Sequence, residues 1–217
     1  TWRMPALIDD EPTDNRSAIR QRIMMYASHP RIDFQTTIDW HEHHQLLKVA
    51  FPVDVRATEA TCQIQFGHVR RPTHRNTSWD QAKFEVCAHQ FVDLAEHGYG
   101  VALVNDCKYG HDVCEGVMRL TCIKSPQAPD AHADQGEHRF TYALVPHRGT
   151  FQEAGVIRTA AELNNPVIAV PLAKVNADAE GDADGRTGQP LPTEHTLVEC
   201  DQPAVIVDTL KPAEDSK

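Results

Sequence analysis

Basic charge is in short supply: Lys and Arg number 21 against 31 Asp and Glu, a formal net charge of -10. A surface of that sign disfavours nucleic acid and anionic membranes as partners, since both need clustered cations. Long apolar runs are missing too. None approaches the roughly 20 residues of a membrane span, so the expected setting is aqueous and cytoplasmic. Cysteine is sparse, with six residues and no CxxC pair, which argues against a disulfide scaffold and for buried, reduced thiols. There is no GxSxG elbow, no phosphate-cradling loop and no dinucleotide fingerprint. Paired carboxylates for glycosidic chemistry cannot be picked out of Asp and Glu residues scattered over several loops. The opening TWRMPALIDDEPTDN carries neither an initiator Met nor a signal-peptide core, and the chain reads as a piece of something longer.

What is present is strand periodicity. In Arg31–Trp40, Ile32, Phe34, Ile38 and Trp40 share one face. Cys62–Phe66 alternates likewise and predicts Cys62, Ile64 and Phe66 facing inward. Further strands are expected at Ile19–Tyr26, Gln45–Phe51, Lys83–Phe91, Tyr99–Asn105, Val117–Ile123, Arg139–Val145, Val167–Val170, Leu197–Cys200 and Ala204–Asp208. Gly, Pro, Asn and Asp punctuate them, the pattern of an antiparallel all-β fold. His89–His97 reads as a strand end plus loop. Phe151–Leu163 is the best helix candidate, weakened by Gly155 and stopped by Asn164-Asn165-Pro166. Residues 176–192 are small, acidic and Gly-rich and read as a linker. The expected organisation is an antiparallel β domain over 1–175, that linker, and returning strands over 193–217.

The chemistry-bearing residues crowd into 66–112. Arg75-Asn76-Thr77-Ser78-Trp79-Asp80 combines a guanidinium, an amide, hydroxyls and an aromatic, the groups that grip polyhydroxylated ligands. A turn in which Asn76 and Asp80 act as caps is the plainer alternative. Asn105-Asp106-Cys107-Lys108-Tyr109-Gly110-His111-Asp112 has the same character and the same alternative. His41-Glu42-His43-His44 matches no zinc spacing and is expected to be a solvated strand end.

Several of these blocks, in order, carry a family resemblance. Arg31-Ile32-Asp33-Phe34, Asp39-Trp40-His41-Glu42, Leu46–Pro52, Ile64–His68 and Arg71–Asp80 resemble the C-terminal half of glycoside hydrolase family 38, the α-mannosidases, in its cytosolic and bacterial branch. Phe84–His89, Gly98–Leu103, Asn105–Asp112 and Phe140–Leu144 continue the match. The resemblance implies a mainly β, antiparallel β-sandwich, a supersandwich of the galactose-mutarotase-like type, forming part of a larger multidomain enzyme. It implies a zinc-dependent, retaining exo-mannosidase whose zinc ligands and nucleophile lie in an N-terminal catalytic domain, so no catalytic residue and no metal ligand is assigned here. The implied partners are that catalytic domain, mannose-containing oligosaccharide through the full enzyme and, in a homo-oligomer, other subunits. Loops at the active-site rim are implied to contribute Arg75, Asn76, Lys108, Tyr109, His111 and Asp112. Lys124 departs from the pattern, standing where Arg is expected. The competing reading is a free-standing carbohydrate-binding module.

Overall fold

The computed structural model describes residues 2–3, 17–169, 196, 198–202, 204–207 and 209–214. The chain divides into two compact units, residues 1–166 and 167–217. Among the described residues the first holds all the regular elements: β1 (Trp2–Arg3), β2 (Ala18–Met25), β3 (Ile32–Trp40), β4 (Leu47–Pro52), β5 (Glu59–Ile64), β6 (Gly67–Pro72), α1 (Ser78–Ala82), β7 (Val86–Cys87), β8 (Phe91–Glu96), β9 (Tyr99–Asn105), β10 (Gly110–Cys114), β11 (Val117–Ile123), β12 (Gly136–Arg148) and α2 (Val156–Asn164).

Two antiparallel sheets result. The larger runs β1-β2-β3-β12-β9-β8-β5-β6 and the smaller β4-β11-β10-β7. Period-2 alternation supplies the core between them: Ile38 and Trp40 of β3, Val92 and Leu94 of β8, Val101 and Leu103 of β9, and Met118, Leu120 and Cys122 of β11 meet across the gap. The indole N–H of Trp40 donates to the Ser125 hydroxyl, so this buried donor is not left unpaired. The antiparallel β architecture expected from the periodicity, and the mainly β sandwich that the family resemblance implies, are the fold observed.

β8 and β9 are buried on both faces. Their other sides put Phe91, Ala102 and Val104 against Val156 and Ala160 of α2, forming a second apolar cluster with Ala143 and Val145. That is why Gly100-Val101-Ala102-Leu103-Val104 is a continuous apolar run instead of an alternating one. The helix starts later than expected. Gly155 sits at φ +68 as its N-cap, and 151–155 form turns in which Thr150 and Glu153 exchange hydrogen bonds.

Local chemistry overrides periodicity at several points. Lys83–Phe91 is not one strand: Lys83 is the C-cap of α1, Val86–Cys87 pairs with β10 in the smaller sheet, and Phe91 already belongs to β8 in the larger one. His89–His97 is mostly strand, β8, whose buried residues include Asp93. Gly67–Pro72 and Gly110–Cys114, which are not among the expected strands, are strands β6 and β10. Phe66, expected inward, is fully exposed with φ +54 at the β5–β6 turn, because β5 starts three residues earlier than its pattern suggested and ends at Ile64. In the second unit Val167–Ala169, Val198–Cys200 and Val205–Val207 form no strand, and the large apolar residues described there are exposed. Val170, Leu197, Asp208 and the expected linker 176–192 lie outside the described residues.

Candidate polar cleft on the smaller sheet

Register decides which side chains reach the surface of the smaller sheet. His111 pairs with Leu120, and Asp112 with Arg119. Directly opposed residues in an antiparallel pair share a face, so His111 follows Leu120 into the core while Asp112 and Arg119 point out. Arg119 Nη1 donates to Asp112 Oδ2 at 3.1 Å, and Arg75 Nη2 reaches Asp112 Oδ1 at 3.5 Å. One carboxylate thus aligns two guanidinium groups contributed by different segments.

These groups line an open cleft of about 1050 Å³ that also carries Asp54, Arg56 and Asn76. Each guanidinium has five N–H donors and Asp112 occupies only part of them, so the cleft presents planar donors beside the Asn76 amide. Such an array can hold a polyol. Both oxygens of Asp112 are engaged by arginines, which suits the carboxylate to positioning.

The remaining predicted site residues do not converge with it. Lys108 and Tyr109 lie in the β9–β10 connection. The Lys108 backbone N–H donates to Asn105 Oδ1 at 2.6 Å, and its ammonium lies 4.5 Å from the centre of the Phe140 ring. The Tyr109 ring packs 5.2 Å from His89 and is otherwise exposed. Asp106 fastens the connection to β12 by accepting the Thr141 N–H at 2.8 Å. His111 is 0% exposed. Its Nδ1–H donates to the Tyr109 carbonyl at 3.3 Å, its Nε2 has no partner, and burial pulls its pKa down to about 4. It is an interior histidine and does not stand at a surface rim.

Arg119 and Arg56 escaped sequence reasoning. No motif marks them, and the signal for Arg119 is its pairing with Asp112, visible only once the β10–β11 register is known. Among the described residues no group of three or more His, Cys, Asp and Glu converges as metal ligands would. His41 pairs with Asp39 at 2.9 Å instead.

Fold and cleft together define an antiparallel β-sandwich module that carries polar binding groups on the outer face of its smaller sheet. The family model for the C-terminal domain of glycosyl hydrolases family 38 matches residues 8–132, and the chain belongs to that family. It is similar to alpha-mannosidase 2C1 of Homo sapiens, 47% identical over 201 residues, covering 92% of this chain and 18% of that protein. Alpha-mannosidase G of Dictyostelium discoideum is 41% identical over 206 residues, covering 94% of this chain and 18% of its own length. The alpha-mannosidase of Saccharomyces cerevisiae is 48% identical over 135 residues, 62% of this chain and 12% of the yeast protein. The chain therefore spans under a fifth of the curated relatives it matches. The crystal structure of an alpha-mannosidase from Enterococcus faecalis shares the fold, with TM-score 0.63 and 20% identity over 70% of this chain and 18% of that one.

Proposed function

We propose that this chain is the non-catalytic C-terminal β-sandwich portion of a cytoplasmic, zinc-dependent, retaining α-mannosidase that removes terminal α-mannose residues. The observation that carries the reading is the 47% identity to alpha-mannosidase 2C1 across 92% of the chain, which extends through core strands as well as connections. In this reading the attacking carboxylate and the acid–base partner of a retaining reaction belong to a separate N-terminal catalytic portion. Zinc, held there, supplies Lewis-acid grip on the sugar hydroxyls.

The sandwich contributes a scaffold and a polar rim. Arg75, Asn76 and Asp112, with Arg119, offer hydrogen bonds to mannose hydroxyls at the cleft. Lys108 and Tyr109 stand on a separate connection, and His111 supports the core beneath. Three measurements test the reading. The 217-residue chain, supplied with zinc, is expected not to hydrolyse an aryl α-mannoside, and clear turnover would sink the proposal. In a full-length enzyme carrying this segment, Arg75→Ala is expected to raise KM about tenfold with little change in kcat, the signature of a lost uniform binding contact. An unchanged KM would remove Arg75 from the rim. Calorimetric binding of mannose by the isolated chain at micromolar affinity would favour a free-standing sugar-binding module instead.

A further inference from the structure

Helix α1 buries none of its side chains. Its Trp79 is 78% exposed, and Phe84 just beyond it is 65% exposed. The segment is nonetheless tightly held. Thr77 accepts the Asp80 N–H at 3.1 Å and donates its backbone N–H back to the Asp80 carboxylate at 3.2 Å. His74 pairs with Asp80 at 3.6 Å. On the far side Glu85 is fixed by Lys48 at 3.0 Å and by the Thr121 hydroxyl. Two large rings are thus presented to solvent on a braced loop, at no benefit to the sandwich's own core.

A sugar is a poor occupant for these rings. Neither ring lines the cleft or the small cavity beneath it. A stacked sugar also needs polar partners at the ring edge, and the neighbouring Thr77, Asp80 and Glu85 are occupied with one another, with His74, or with Lys48 and Thr121. Exposed aromatics on a rigid support have the make-up of a protein–protein hot spot. We propose that Trp79 and Phe84 are the anchor by which this sandwich grips the catalytic portion of its enzyme, entering an apolar pocket on that portion beside the Arg75–Asp112–Arg119 cleft. The inference rests on the mannosidase reading above, and it makes the docking surface continuous with the rim.

The test replaces the matched segment of full-length human alpha-mannosidase 2C1 with this chain and compares it with the Trp79→Ala/Phe84→Ala double variant. The measurements are kcat and KM on an aryl α-mannoside and thermal unfolding. The double variant is expected to lose at least about tenfold in kcat, the scale of a hot-spot truncation, with KM within about twofold. Its unfolding splits into two transitions as the sandwich uncouples. Trp79→Phe retains most of the activity. The same double change in the isolated 217-residue chain shifts its own transition by no more than about 2 °C, because neither ring is packed in its core.

Unchanged kcat and a single transition in the chimera would overturn the anchor. A rise in KM alone would place the rings on the sugar instead, and a large loss of stability in the isolated chain would make them part of its own fold. A chimera inactive before any ring is changed would count against the mannosidase reading itself, which separates the two failures.

Discussion

Gly100 is a position where a single methyl group has a large foreseeable effect. His147 on β12 stands opposite Gly100 on β9 and reaches over it to Asp93 on β8, with Nε2 to Oδ1 2.7 Å. The two side chains are 3% and 2% exposed. A Cβ at position 100 would stand 2.6 Å from His147 Cε1, 2.7 Å from its Nε2 and 2.7 Å from Ala95 Cβ. None of these is the loose end of a flexible chain. Gly100→Ala must therefore push the imidazole off Asp93 or spread the strands. Overpacking costs about 1–3 kcal/mol, and leaving one member of a buried pair unpartnered costs about 3–5 kcal/mol, so a loss near 3–5 kcal/mol is expected. Urea unfolding followed by the fluorescence of buried Trp40 measures it. Gly98→Ala is the control. That glycine has φ +82 with nothing within 4 Å of a built Cβ, so only backbone strain remains, roughly 1 kcal/mol. In a double-mutant cycle, His147→Ala should absorb at least about 1 kcal/mol of the Gly100→Ala cost, because the two changes act on one contact. If Gly100→Ala proves no worse than Gly98→Ala, the steric reasoning is wrong.

Three further outcomes follow from burial and capping. His111 has a folded pKa of about 4 against an ordinary 6.5. Its lowered value means a contribution present above the unfolded pKa and lost as pH falls from about 6.5 through about 4, worth about 3 kcal/mol in all. In His111→Met that part of the acid destabilisation should vanish from urea midpoints measured across the window, and an unchanged pH profile would contradict it. Burial pushes the Cys62 and Cys122 thiols up to about 11, while Cys87 and Cys200 are exposed. At pH 8 a disulfide reagent should modify Cys87 and Cys200 in the native chain and reach Cys62 and Cys122 only after denaturant is added. Thr77→Ala removes the cap of α1, worth about 1 kcal/mol locally. Amide exchange should speed up at Trp79–Ala82 with little change in global stability, since α1 buries nothing.

How far the fold and cleft were legible follows from what each element depends on. β3 and β11 were readable because their side chains answer to one strong constraint, a dry inner face that sorts apolar from polar at every second residue, and β9, buried on both faces, was readable as a short continuous apolar run. The chain from 66 to 112 obeys several constraints at once. β6 and β10 carry Arg70, Arg71 and Asp112 and few large apolar residues, so their polarity hides them as strands. The Thr77–Asp80 capping box is a four-residue signal set inside a polar stretch read as a loop, so its short helix leaves no trace in the wider hydrophobic period. His111 and Asp112 differ by one position, and composition treats them alike. The register His111↔Leu120 and Asp112↔Arg119 sends one into the core and the other to the cleft. A one-residue slip in β10 would exchange their roles. The cleft is therefore a product of pairing and not of motif. Any other chain with this pattern should be read for the partner of its Asp112 before a rim role is assigned to its histidine.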